Sequence, residues 1–215
     1  MTSFSIEDFA AGCKRAMVEG NNGREAAGAY LADAVARCGT SEIIRALEAA
    51  VPAGASIGEL IVHASPELTM LYARAPARFQ SGIHNHTVCA VIAQLEGEEV
   101  NHIFEPSADG SLQEVRAITV RAGDVLTLDK DVIHCIENSS DQPAHALHLY
   151  KGDFGALSDR RSLWSWEDHQ QKPFSFPALL TESVTAMHQS GNRAGLQALV
   201  QAMPASKAVI DTLRD

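Results

Sequence analysis

The sequence is short of three things, and each shortage removes a class of protein. Basic side chains are outnumbered, with 17 Lys and Arg against 27 Asp and Glu and a formal charge of −10. Without a basic excess there is no counterion release to drive DNA or RNA binding and no attraction to anionic lipid. Neither nucleic acid nor a membrane is therefore expected as a partner. Long apolar runs are missing as well: even Ala90–Leu95 contains Gln94 and runs into Glu96, far short of the ~20 residues of a spanning helix. Cysteine is scarce, and Cys13, Cys38, Cys89 and Cys135 form no C-x-x-C pair. That excludes a zinc knuckle or a dense disulfide framework and makes reduced thiols the expectation. Met1–Asp8 carries acid where a secretory signal carries base before an apolar core, so the expected location is cytoplasmic. The 215 residues are 46% hydrophobic and 20% charged, near the globular average, and can bury a sizeable core.

Periodicity divides the chain into three parts, 1–55, 56–156 and 157–215. In the first, Phe9, Cys13 and Met17, then Ala27, Tyr30, Leu31 and Val35, recur at helical spacing, as do Ile43, Ile44, Leu47 and Val51. Ser5 with Asp8 reads as a helix start, Gly20–Gly23 as a turn, and Pro52–Ser56 as a stop. In the second, Gly, Asp, Asn and Pro cut the chain into short β-rich runs: 59–63, 68–75, 89–95, 100–104, 112–120, 124–128, 132–136 and 144–150. Eight such runs with no long helix among them read as a mainly β, antiparallel sandwich or barrel, since parallel pairing needs crossover helices. In the third, Leu163-Trp-Ser-Trp166 is expected to pack over one edge of the barrel. Helical spacing then resumes through Leu179, Leu180, Val184 and Met187 and, past a break at Gly191-Asn192, through Leu196, Leu199 and Val200.

Six of the nine histidines fall between residues 84 and 148. In an extended segment, His84 and His86 of His84-Asn-His86 project to the same face, and both rings can converge on one ion. Further on, Gly123 opens a strand, polar residues at 129–131 reverse it, and His134 lies on the returning strand. A closed antiparallel barrel can bring His134 beside the first pair.

These two segments resemble the two cupin motifs, G-x5-H-x-H-x3,4-E-x6-G and G-x5-P-x-G-x2-H-x3-N. Gly97 closes the first, and Gly123, His134 and Asn138 fit the second. Asp129 and Asp131 replace the turn Pro and Gly, the leading glycine of the first motif is absent, and Ala90 stands where many cupins carry a carboxylate ligand. The resemblance implies a double-stranded β-helix (jelly-roll) barrel with flanking helices and a three-histidine metal site at His84, His86 and His134. Within the cupins, His84-Asn-His86, Leu95-Glu-Gly97 and Ala146-Leu-His148-Leu-Tyr150 are similar to the bacterial branch of the thiol dioxygenases related to cysteine dioxygenase. That likeness covers about residues 57–156. It implies Fe(II), with Zn, Ni or Mn as alternatives, a small thiol substrate with O2, and a role for Tyr150, oriented by His148, in hydrogen-bonding substrate or oxygen. Cupins often dimerise, which leaves a homodimer open.

The chemistry can also be argued from the donors. Three neutral imidazoles leave a divalent ion its full charge, which favours an anionic chelating substrate such as a thiolate. Two oxygen atoms delivered to sulfur give a sulfinic acid. The relatives' serine two residues before the His-x-Tyr pair is Ala146 here. Cys89 lies one residue before the position of the relatives' tyrosine-linked cysteine and so on the opposite strand face, and no Cys89–Tyr150 link is expected. The relatives' carboxylate-binding arginine is absent from Leu60–Ser65. His63 becomes the substitute for a substrate contact, with Arg74 as a further candidate, although alternation sends Arg74 outward when Ala73 and Ala75 face in. Small side chains at Ala73, Ala75 and Ala90 leave a roomier pocket than cysteine requires. The alternatives are a metal-dependent cupin enzyme acting on a non-thiol substrate and a non-catalytic small-molecule-binding cupin.

Overall fold

Strand alternation sorts the apolar residues of the chain onto two surfaces. In the computed structural model, which describes residues 4–19, 23–52, 59–108 and 111–213, the strands are β1 (Glu59–Ala64), β2 (Leu68–Ala75), β3 (Ile83–Asn85), β4 (Ala90–Glu96), β5 (Glu98–Pro106), β6 (Leu112–Arg121), β7 (Val125–Leu128), β8 (Ile133–Glu137), β9 (Ala144–Lys151), β10 (Ser162–Trp164) and β11 (Gln171–Pro173). On β2, Leu68, Met70 and Tyr72 point one way into a cluster shared with the N-terminal helices, while Leu71 and Ala73 point the other way into the barrel interior. β4 and β9 divide likewise: Val91, Ala93, Leu95, Leu147 and Leu149 join the helices, and Ala90, Ile92, Ala146 and Tyr150 turn inward. A period of two with both faces buried is what a sheet sandwiched between helices and a barrel lumen requires.

Two antiparallel sheets result, ordered β1-β2-β9-β4-β7 and β11-β10-β3-β8-β5-β6. From β2 to β5 successive strands alternate between the sheets, and they do so again from β6 to β9, which is the jelly-roll winding of a double-stranded β-helix. All eight strands expected from the sequence are present, with ends shifted by at most two residues. The short β3, β10 and β11, three residues each, carry too little alternation to be distinguished in the sequence. Gly97 and Gly123 take positive φ (+70° and +97°) at the strand reversals, conformations open to glycine at little cost.

The helices α1 (Ile6–Lys14), α2 (Gly23–Cys38) and α3 (Thr40–Ala50) lie against the outer face of the first sheet. Ser5 caps α1, its hydroxyl accepting from the Asp8 amide at 3.2 Å. Phe9, Cys13, Met17, Leu31, Ile43 and Leu47 are buried under them, each large side chain contributing about 1.5–3 kcal/mol. The Tyr72 hydroxyl lies 2.7 Å from Glu48 Oε1 and 2.8 Å from His145 Nδ1, fastening α3 to the barrel. The turn expected at Gly20–Gly23 and the stop at Pro52–Ser56 fall mostly on residues 20–22 and 53–56, outside the described residues.

The helices α4 (Phe176–Gln189), α5 (Arg193–Ala202) and α6 (Ser206–Thr212) pack together at the side of β3 and β10. A methyl group at Gly82 would meet Glu182 Cβ at 2.7 Å, so glycine lets α4 approach the backbone just ahead of the histidine-bearing strand. The aromatic stretch expected to cover an edge does so as a strand: β10 pairs with β3, Leu163 opposite His84. No helix among the described residues is long and apolar enough to cross a membrane, and all four cysteines are free.

Candidate metal centre

The β3–β8 register sets His84 directly opposite His134, and His86 follows just past the end of β3. The three imidazoles are buried, their ligand atoms lie within 4.8 Å of one another, and ring centroids are 4.7 to 5.1 Å apart. His134 Nε2 and His86 Nε2 are separated by 3.3 Å, the span of two nitrogens that share one ion at about 2.1 Å each. Two of the rings are oriented from behind. His84 Nδ1 donates to the Gly82 carbonyl at 3.0 Å and His134 Nδ1 to the Asn101 side-chain oxygen at 3.0 Å, which leaves each Nε2 lone pair facing the cavity.

Burial holds the rings neutral, the form that ligates. Desolvation, reinforced by the Arg161 charge, pushes His84 down to about 3, and desolvation with the charges of neighbouring histidines carries His86 and His134 well below 6.5. Ala90, fully buried opposite Tyr150, presents a methyl group to the same interior. The donor set fits one divalent ion held by imidazole alone. Replacing Asn101 with alanine is expected to weaken metal binding about 10- to 100-fold without removing a ligand; a competition titration with a chelator measures this.

His148 and Tyr150 project from β9 into this cavity. The Tyr150 hydroxyl lies 2.9 Å from His148 Nδ1, its ring stacks on Phe154 at 3.7 Å and meets the edge of His86 at 5.0 Å. Burial lowers His148 to about 4 and raises Tyr150, with the Glu59 charge adding to the latter. The phenol is a proton donor at neutral pH, and His148 Nε2 has no hydrogen-bond partner among the described residues. Cys89 turns away, its sulfur 3.7 Å from Asp129.

The two substrate candidates from the early strands do not reach the histidines. His63 pairs with Met70, whose side chain lies on the helix-covered face, because a bulge between Ile61 and His63 shifts the register. Arg74 also points outward and sits 3.5 Å from Glu48. The guanidinium in the cavity belongs to Arg161, only 4% exposed. It stacks over Phe174 at 3.5 Å and Phe154 at 4.1 Å. Its Nε donates to the Asn85 carbonyl at 3.2 Å, while Nη1 is buried without a partner among the described residues. Desolvation pulls its pKa down to about 10. Arg161 immediately precedes the three-residue β10, and no spacing in the sequence marks it as a site residue. Nothing in the composition indicated that β10 would join β3.

Fold and donors together define a double-stranded β-helix protein with a candidate mononuclear metal centre. No protein-family model and no curated protein matches the chain. Solved structures do. One is an uncharacterized conserved protein with a double-stranded beta-helix domain from Klebsiella pneumoniae, at TM-score 0.40 and 15% identity, covering 49% of this chain and 85% of that one. Another is a cupin superfamily protein from Desulfitobacterium hafniense, at TM-score 0.36 and 15% identity, covering 44% and 76%. A third is the DMSP lyase DddQ from Ruegeria pomeroyi, at TM-score 0.34 and 21% identity, covering 41% of this chain and only 40% of the lyase.

Proposed function

We propose that this chain is a mononuclear non-haem iron(II) dioxygenase that oxidises a small thiol to a sulfinic acid. The observation that carries the reading is the company the three histidines keep: a buried phenol–imidazole pair and a buried, incompletely paired guanidinium line the same cavity. The reaction RSH + O2 → RSO2H balances without a further co-reactant, sulfur losing four electrons and O2 gaining them. Iron(II) held by His84, His86 and His134 would supply the redox chemistry that brings O2 to sulfur.

The remaining work falls to the protein. Arg161 carries a charge that burial makes costly, and a substrate carboxylate offsets that cost through charge-assisted hydrogen bonds. Fixing the anion there orients the thiol toward the histidines, the proximity effect that converts an encounter into a positioned reaction. Tyr150, protonated and held by His148, donates a hydrogen bond into the space between. Phe154, Phe79 and Ile136 limit the water around it.

The deciding experiment is anaerobic loading with iron(II), then oxygen uptake and sulfinate formation with cysteine and 3-mercaptopropionate. Equal consumption of O2 and thiol with sulfinate as product supports the reading, and no uptake with any thiol sinks it. Arg161→Gln is expected to raise KM about 30-fold or more with a smaller change in kcat, the loss of a charge-assisted pair. Tyr150→Phe is expected to do the reverse, lowering kcat about 100-fold with KM little moved.

A further inference from the structure

The cavity around the histidines is small, about 70 Å3, and a much larger space adjoins it. A chamber of about 780 Å3 lies between the inner face of β1 and β2 and the helices α4 and α5. Glu59, Phe79, Ile136, Phe176 and Leu179 line both spaces, so the two adjoin across that shared wall. Leu71 in the chamber wall is the cross-strand partner of His148.

The chamber is apolar, with Leu60, Ala73, Ala75, Leu180, Leu199 and Met203 among its walls. Two of its three other polar residues are committed elsewhere, Arg74 to Glu48 and the Ser183 hydroxyl to the Leu179 carbonyl and the Gly82 amide. The third, Glu59, stands at the junction with the histidine cavity. The space is a cleft with an exposed mouth, and its volume and lining match ligand sites, which run to about 300–1,000 Å3 with apolar walls and few polar groups. Ala73 and Ala75 preserve the space where larger side chains would fill it. Ile61 (45% exposed) and Phe176 (52%) belong to its lining and are two of the four exposed large hydrophobic residues of the described chain.

We propose that the chamber receives the apolar part of the substrate. On the reading above, this makes the substrate an amphiphilic thiol. Its sulfur and anionic group occupy the small cavity, a polar N–H meets Glu59 at the junction, and a hydrocarbon substituent of about six carbons or more fills the chamber. Cysteine itself leaves the chamber unused.

The test is calorimetric titration of the iron-loaded full chain, without oxygen, with N-acetyl-, N-hexanoyl- and N-decanoylcysteine and with their S-methyl thioethers. Each methylene buried is expected to tighten binding about threefold, so Kd should fall on the order of a hundredfold from N-acetyl to N-hexanoyl. Ala202→Trp, which brings an indole in from a helix surface, and Ile61→Asp, which charges an exposed wall position, should each collapse that ratio toward one. A wild-type ratio within threefold across both series overturns the chamber assignment. The thioethers separate this proposal from the thiol reading. A chain-length gain in the thioethers supports the chamber even if no thiol is oxidised, a result that overturns only the thiol reading. A flat series with oxidation of short thiols overturns the chamber alone.

Discussion

Replacing His86 with alanine is expected to lower metal content from about one ion per chain to below a tenth and to bring turnover under the detection limit. Loss of an outer partner of a metal ligand already costs about 10- to 100-fold in affinity, and loss of the ligand itself must exceed that. His86 suits the test because its ring nitrogen lies against His134, so its removal deletes a donor while sparing the Gly82 carbonyl and the Asn101 side-chain oxygen that orient the other two rings. Elemental analysis after dialysis gives the stoichiometry, and far-ultraviolet circular dichroism reports whether the fold persists. His102→Ala is the control. That ring lies outside the cavity, bonded to Glu114 at 2.9 Å and Glu137 at 3.1 Å, and its loss should leave metal content unchanged. Full metal occupancy in the folded His86 variant would overturn the three-histidine assignment.

The second large effect is acid sensitivity of the metal-free protein. A histidine whose folded pKa lies below its unfolded value of about 6.5 takes up a proton on unfolding. Its contribution to stability is complete above pH 6.5 and is lost as pH falls toward the folded value. For His148, lowered to about 4, the loss amounts to about 3 kcal/mol. His84, His86 and His134 shift in the same direction. Glu99 opposes them: buried on β5 and raised to about 7 by desolvation and the Glu59 charge, it stabilises below its unfolded pKa and loses that contribution as pH rises toward 7. Glu59 is raised by desolvation in the same way, and His145 is lowered like the other rings. Two carboxyls do not offset five imidazoles, so stability should fall by several kcal/mol between pH 7 and pH 5. Bound metal, which competes with protons for three of the rings, should move the fall to lower pH. Urea unfolding at the two pH values measures it; equal midpoints for the metal-free protein would contradict the buried, neutral state of these side chains.

How much of this was legible in the sequence depends on the range of the information. Strand positions were readable because alternation is local: Leu68–Ala75 needs only its own pattern of two buried faces. The histidines that converge were also readable, since His84-x-His86 fixes a face and the glycine-to-histidine spacing around His134 fixes a return strand. Helix faces followed from three- and four-residue spacing, and Phe9, Cys13, Leu31, Ile43 and Leu47 are buried as expected. Contacts made by tertiary register were not readable. Asn101 reaches His134 only because β5 pairs with β8. Arg161 enters the cavity only because a three-residue strand from the C-terminal third pairs with β3, and a three-residue strand has too little periodicity to announce itself. His63 failed for the complementary reason, a bulge that shifts the pairing register being invisible to simple alternation.

The pairing of β10 with β3 has a consequence for how the chain can be divided. The strand that bears His84 has β8 on one side and a segment more than seventy residues downstream on the other. A fragment ending with the eight-stranded barrel would expose that flank as a row of unsatisfied amides and carbonyls, a template for self-association. It would also shed Arg161, whose buried guanidinium lines the histidine cavity. The tail that looks like an appendage is part of the vessel, and shortening the protein to its apparent barrel would strip a strand from β3 and a wall from the histidine cavity.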